Sequence, residues 1–131
     1  MTRILLVEDD ATQLANMLSI LQKTLPDYQF IAVGTLSDAV AKLRELWAVS
    51  LVVADYQLPD GTGYDLLEYC KSHLTDVPFI ILAYSNDQEK GFGAALFFQK
   101  GVFDYVRKPI IDFDEFIERI KRSIRIAHAL T

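Results

Sequence analysis

Four acids and one lysine stand where apolar runs of this sequence give out. Glu8, Asp9 and Asp10 follow residues 4–7, Asp55 follows residues 51–54, and Lys108 lies just past residues 103–106. Carboxylates gathered in one place repel and raise one another's pKa. A divalent cation relieves that repulsion, and an all-oxygen donor set with positions left for water suits Mg²⁺. Such an ion, faced by a lysine, can neutralise charge on an incoming phosphoryl group. A carboxylate held beside it can attack phosphorus and form an acyl phosphate. Asp55 is the candidate acceptor. Its apolar run is rich in β-branched residues, and the turn Pro59-Asp60-Gly61-Thr62-Gly63 follows almost at once. That pattern predicts a buried strand that delivers one carboxylate to the edge of a sheet.

The elements that would bring these residues together alternate. Residues 4–7 predict a strand buried on both faces. Leu14, Leu18, Leu21 and Leu25 recur at helical spacing, and Pro26 ends that helix. Residues 28–33 predict a second strand. Ser37 can cap a second helix that carries Val40, Leu43 and Trp47 on one side. The third strand, 51–54, is followed by a helix from Asp65 to about residue 74 with Leu66, Leu67 and Cys70 inward. Residues 79–83 predict a fourth strand. Beyond a polar loop, a fourth helix containing Gly91 and Gly93 runs to about residue 100 and is ended by Gly101. Residues 103–106 predict the fifth strand. Asp112 caps a last helix that buries Phe113, Phe116, Ile117, Ile120 and Ile124. Five repeats of strand then helix predict an α/β fold: a doubly wound, five-stranded parallel sheet in a three-layer sandwich. Function in such sheets collects beyond the carboxyl ends of the strands. All the chemistry-bearing residues above fall at that edge.

Composition narrows the function classes. The 131 residues suit one domain with one core. A net charge of −5 argues against the chain itself binding nucleic acid, because phosphate contacts need a basic face. The single cysteine, Cys70, excludes an internal disulfide and a multi-cysteine metal site, and points to the reducing cytosol. The N-terminal apolar run is too short for a signal peptide or membrane span. His73 and His128 lack ligand-like spacing and read as surface residues. Asp10 reads as a helix cap, and Cys70 as a small core residue. Phe92, Phe97 and Phe98 make the fourth helix unusually apolar, enough to leave a patch for a partner. Arg119, Lys121, Arg122 and Arg125 read as a solvated face of the last helix. A flavin carrier on the same fold does not fit, because the loop after the first strand is acidic where a flavin phosphate needs backbone donors.

The motifs Ile-Leu-Leu-Val-Glu-Asp-Asp (4–10), Asp-Tyr-Gln-Leu-Pro-Asp-Gly-Thr-Gly (55–63) and Gly-Val-Phe-Asp-Tyr-Val-Arg-Lys-Pro (101–109) come in the order and spacing of a response-regulator receiver domain. The chain resembles that family over nearly all its length. The resemblance implies the flavodoxin-like (βα)5 fold with strand order 2-1-3-4-5. It implies one domain over residues 1–131, with a core of about 2–126 and residues 127–131 as the helix end or the start of a linker to an output domain. Asp55 is then the phosphoacceptor, loaded by a sensor histidine kinase, a phosphotransfer protein or a small phosphodonor. Asp9 and Asp55 would ligate Mg²⁺ through carboxylates and Gln57 through its backbone carbonyl, with Glu8 acting through water. Lys108 would pair with Asp55 and then with the phosphoryl group. The Lys108–Pro109 bond would be cis, and Tyr105 would be the aromatic that reports phosphorylation. The implied role is cytoplasmic and regulatory, not enzymatic. The partner surface would be the fourth helix, fifth strand and fifth helix, which could also serve a homodimer.

The sequence departs from the family at one place. The fourth strand usually ends in Thr or Ser, whose hydroxyl binds the phosphoryl group and draws the switch aromatic inward. Here Ala83 stands there, with Tyr84 next, where the family has a small residue. Either the hydroxyl contact is absent, or Ser85, of the same strand parity, supplies it. This departure is the ground for a second reading, a receiver-like scaffold that engages partners without phosphorylation.

Overall fold

The computed structural model describes residues 2–46, 48–73, 77–84 and 101–129. Five strands form one parallel sheet: β1 (Arg3–Val7), β2 (Gln29–Val33), β3 (Leu51–Asp55), β6 (Phe79–Tyr84) and β7 (Asp104–Lys108). Two-residue strands β4 (Gln57–Leu58) and β5 (Gly61–Thr62) make a separate antiparallel hairpin just after Asp55. The sheet order is β2-β1-β3-β6-β7. Counting only sheet strands, this is 2-1-3-4-5, the predicted doubly wound topology. Order reverses at β1, so the carboxyl ends of β1 and β3 lie side by side at the switch point.

Four helices are described: α1 (Ala11–Thr24), α2 (Leu36–Glu45), α3 (Gly63–His73) and α4 (Phe113–Ala129). The strands alternate between two cores. Val52 and Ala54 face α2 and α3 with Ala39, Leu43, Leu66, Leu67 and Cys70. Leu51 and Val53 face α1 and α4 with Met17, Leu21, Phe116, Ile117 and Ile120. Both faces are covered, which is why every residue of β3 is buried and its apolar run is unbroken up to Asp55. Leu14, Leu18, Phe113 and Ile124 pack at the margin of the second core rather than inside it. His73 and His128 are exposed, as expected of surface residues.

Several boundaries differ from the sequence reading, each for a local reason. Thr35, not Ser37, caps α2: its Oγ1 accepts from the Asp38 N–H at 3.0 Å. The Ser37 N–H is inside the first turn, where it and the Leu36 N–H donate to the Asp60 carboxylate at 2.9 and 2.7 Å. A loop residue 23 positions away from Ser37 thus satisfies two donors that local sequence leaves open. Asp65 is not the start of α3 but the far half of its capping box. The Thr62 hydroxyl accepts from the Asp65 N–H at 3.2 Å, and the Asp65 carboxylate accepts from the Thr62 N–H at 3.0 Å. β7 runs to Lys108 instead of stopping at Val106, because Tyr84 extends β6 and pairs with Lys108. Asp10 and Asp112 are helix caps as read, accepting from Gln13 N–H and Glu115 N–H. Gly101 has a φ of 98°, a left-handed conformation that glycine adopts without strain. The fourth helix itself, with Gly91, Phe92, Gly93, Phe97 and Phe98, lies outside the described residues, as do Trp47 and Ser85.

Candidate functional site

Each acid reaches the site from the end of a strand. The Glu8 N–H donates to the Val33 carbonyl at 3.0 Å and so continues the β1–β2 ladder by one residue. That turns the Glu8 side chain into the protein, where it is buried, and leaves Asp9 exposed. Asp55 is the last residue of β3. It is 6% exposed, and the Tyr56 N–H holds the chain behind it to the Leu82 carbonyl at 2.8 Å. Gly63 comes back under this loop, its N–H donating to the Tyr56 carbonyl at 2.8 Å. A Cβ at Gly63 would lie 2.8 Å from the Asp55 carbonyl oxygen and 2.6 Å from Ile81 Cδ1. The glycine is needed for that close approach.

Lys108, at the end of β7, is 5% exposed and crosses the sheet edge to both acids. Its Nζ lies 2.7 Å from Glu8 Oε2, and 2.9 and 3.0 Å from the two Asp55 oxygens. The second Glu8 oxygen accepts from the Asp10 N–H at 3.1 Å. Carboxylate oxygens of Glu8, Asp9 and Asp55 lie within 4.8 Å of one another, a group that could hold a metal ion. The donor set is all oxygen and one member is exposed, which suits a hard ion that keeps waters. Gln57, at the start of the β4–β5 hairpin, lines the same cavity of about 240 Å³.

The electrostatics follow from burial. Burial is the largest influence on Asp55 and raises its carboxyl from 3.8 to about 7. The hydrogen bond from Lys108 opposes the rise, and the charge of Glu8 adds to it. For Lys108 burial acts downward, but its hydrogen bonds to Glu8 and Asp55, and their charges, outweigh it and hold the ammonium above 10.5. The lysine is therefore a fixed positive charge, while Asp55 is poised near neutrality. That poise is where an entering cation has most leverage.

Ala83 is buried among the apolar side chains on the α2–α3 face and offers no donor. Ser85, the alternative donor, lies outside the described residues. Tyr105 is partly buried beside the same core, paired with Ile81 in the β6–β7 register. The Lys108–Pro109 peptide bond is cis. Of the four basic residues read as a solvated face, Arg119 and Arg122 instead clamp the buried Asp104 at 2.7 and 3.0 Å. Two further features were not legible in the sequence. Lys108 bonds directly to Glu8 as well as to Asp55, a contact between residues 100 positions apart. Tyr84 lays its ring 4.8 Å from the Lys108 ammonium, and its hydroxyl accepts from Gln13 Nε2 at 3.2 Å. The Tyr84 contact follows from the β6–β7 register, which pairs Tyr84 with Lys108.

Comparison with known proteins agrees with this geometry. The family model described as response regulator receiver domain matches residues 4–121. The transcriptional regulatory protein KdpE of Mycobacterium tuberculosis is 33% identical over 122 residues, covering 93% of this chain and 51% of KdpE. A probable transcriptional regulatory protein, y4xI, of Sinorhizobium fredii is 30% identical over 131 residues, covering 98% of this chain and 53% of y4xI. The chain thus spans about half the length of these two relatives. Among solved structures, the non-phosphorylated HemR receiver domain of Leptospira biflexa has a TM-score of 0.75 at 31% identity, covering 95% of this chain and 94% of that one. A response regulator receiver domain protein of Clostridium thermocellum has a TM-score of 0.88 with both chains fully covered, and at 23% identity it bears on the fold alone. With its acids and lysine gathered at the carboxyl edge of a 2-1-3-4-5 sheet, the chain belongs to the response regulator receiver domain family.

Proposed function

We propose that Asp55 is the phosphoacceptor of this receiver domain, that Glu8, Asp9, Asp55 and the Gln57 carbonyl hold Mg²⁺, and that Lys108 steadies the transferred group. The observation that carries this reading is the Lys108 ammonium shared between Asp55 and Glu8 beside the exposed Asp9. Phosphoacceptance is the general function of the family. Its members bind Mg²⁺ at an acidic cluster and work with histidine kinases and output domains.

In the transfer, an Asp55 oxygen attacks phosphorus as the bond from phosphorus to the donor breaks, and the donor leaves with that electron pair. Held by Glu8, Asp9, Asp55 and the Gln57 carbonyl, Mg²⁺ would supply positive charge for the phosphoryl oxygens and would let the neighbouring carboxylates stay ionised together. Lys108 gives up an Asp55 oxygen to take a phosphoryl oxygen and remains anchored on Glu8. The chain promotes only its own phosphorylation and dephosphorylation. Its readout would pass through Tyr105 to the surface formed by the fourth helix, β7 and α4, and from there to an output domain or second copy. With Ala83 in place of a hydroxyl, that relay would rest on Ser85 or on Lys108. A phosphorylation-independent scaffold would not require the acids and the lysine to stay assembled, so the phosphoacceptor reading is preferred.

Beryllofluoride with Mg²⁺ tests it, followed by amide NMR. Shifts around Asp55, Lys108 and Tyr105 that disappear in Asp55→Asn are expected. Binding that persists unchanged in Asp55→Asn would overturn the assignment.

A further inference from the structure

Just past Asp55 the chain makes the short hairpin of β4 and β5, in which Gln57 pairs with Thr62 and Leu58 with Gly61. Pro59 and Asp60 form its turn. With only two residues on each side, such a hairpin does not fix its own position. It is fastened from outside at base, middle and tip. At the base, the Gly63 N–H donates to the Tyr56 carbonyl at 2.8 Å. In the middle, Leu58 is buried in the core on the α2–α3 side of the sheet. At the tip, the Asp60 carboxylate accepts from the Leu36 and Ser37 N–H groups at 2.7 and 2.9 Å, a negative charge on a helix N-terminus. The tip also rests directly on α2, since a Cβ at Gly61 would stand 2.6 Å from Leu36 Cδ2. The helix does not need this contact as a cap. Thr35 already caps it locally, accepting from the Asp38 N–H at 3.0 Å. The donors that Asp60 takes are at an exposed first turn, where water would serve them. What water would not do is join the hairpin to the helix.

We propose that Asp60 is a positioning residue for the metal site: by tying the tip of the hairpin to the start of α2, it fixes where the Gln57 carbonyl stands. The inference rests on the reading of that carbonyl as a ligand beside Glu8, Asp9 and Asp55, with which Gln57 lines one cavity. A carboxylate can turn about its own side-chain bonds to meet an ion. A backbone carbonyl cannot, and moves only with its strand. Tilting the hairpin about its base would carry the Gln57 carbonyl with it. Mg²⁺ is exacting about such a shift, because it demands near-octahedral ligands at about 2.0–2.1 Å, whereas Ca²⁺ accepts a flexible shell at about 2.3–2.6 Å. Loss of the tether should therefore weaken Mg²⁺ more than Ca²⁺.

The test titrates Mg²⁺ and, separately, Ca²⁺ into the full chain and follows amide NMR. The Leu58 amide shares a peptide group with the Gln57 carbonyl, and the Asp9 and Asp55 amides report on the carboxylates. Only cross-peaks of folded molecules are read, so loss of stability cannot imitate loss of affinity. Asp60→Ala should raise the dissociation constant for Mg²⁺ about tenfold, the low end of what removing a group behind a metal ligand costs, and that for Ca²⁺ by no more than about twofold. Asp60→Asn removes the charge but keeps an acceptor oxygen for α2, and should raise the Mg²⁺ constant only about threefold. Thr35→Ala removes the local cap of α2 without touching the hairpin, and should leave both constants unchanged. A Mg²⁺ constant in Asp60→Ala equal to that of wild type overturns the tether. So do equal losses for both ions in Asp60→Ala and Asp60→Asn alike, which would mean that Asp60 acts through its charge. A matching Mg²⁺ loss in Thr35→Ala also overturns it, because the stability of α2 would then be what counts. If Mg²⁺ moves the Asp9 and Asp55 amides of wild type but not that of Leu58, Gln57 is no ligand, and the tether falls with that assignment while the acids keep theirs.

Discussion

Asp55→Asn should stabilise the metal-free protein at alkaline pH and leave it nearly unchanged in acid. The carboxyl of Asp55 moves from 3.8 to about 7 on folding, chiefly because it is buried, with Glu8 pushing the same way and Lys108 opposing. A raised carboxyl binds its proton more tightly in the folded state, so its contribution favours folding in acid and is lost as pH rises between those values. At about 1.36 kcal/mol per pH unit, the interval corresponds to a cost of about 4 kcal/mol once Asp55 is ionised in both states. Asparagine has nearly the same shape and no such cost. The attraction of Lys108 for the ionised carboxylate already lies within that interval, because its hydrogen bond and charge oppose the rise. Glu8 keeps the ammonium paired at 2.7 Å in either case. Lys108 does not confuse the window, because its own raised pKa places its loss of stability above pH 10.5. The expected gain for Asp55→Asn is therefore about 2–4 kcal/mol at pH 8, shrinking toward zero near pH 4. Urea unfolding at fixed ionic strength, without divalent ions, measures it from the shift in midpoint at constant slope. Mg²⁺ at ten times its dissociation constant should return about 1.4 kcal/mol to the wild type, and much less to the variant. A stability difference that is the same at pH 5 and pH 8, or an Asp55→Asn protein less stable than wild type at pH 8, would refute the argument that burial sets the charge state of this site.

Gly63→Ala should cost about 1–3 kcal/mol in urea unfolding, because the new Cβ meets Ile81 and the backbone carbonyl of Asp55 with little room to yield; unchanged stability would mean that the loop does not need its close approach. Asp104→Ala should cost about 1–2 kcal/mol by the same assay, since it removes the acceptor for Arg119, Arg122 and the Tyr105 N–H at once. The two arginines are partly exposed, so most of that loss should come from the buried carboxylate's own hydrogen bonds, and the cost should change little between low and high salt.

The alternation of strand and helix was legible because burial on both faces forces unbroken apolar runs in the strands, whereas helices need only one apolar stripe. Asp55 stood out for the same reason: a charge that directly ends such a run has to lie at a sheet edge. The caps at Asp10 and Asp112 were legible because they act within three residues of themselves. Thr35 was missed because the start of α2 depends partly on Asp60, which belongs to another loop. The reach of β7 to Lys108 was missed because strand length is set by the neighbouring strand, here by Tyr84 of β6.

By itself the sequence determined the kind of fold, the order of its strands through family resemblance, and the identity of the acids and the lysine at one edge. Tertiary structure decided how those charges meet. It placed Lys108 on Glu8 as firmly as on Asp55, buried Asp55 deeply enough to hold its proton near neutrality, and laid the Tyr84 ring against the Lys108 ammonium. Those are properties of distance and dielectric between residues far apart in the chain. No local pattern encodes them, because the sequence specifies them only through the whole packed core.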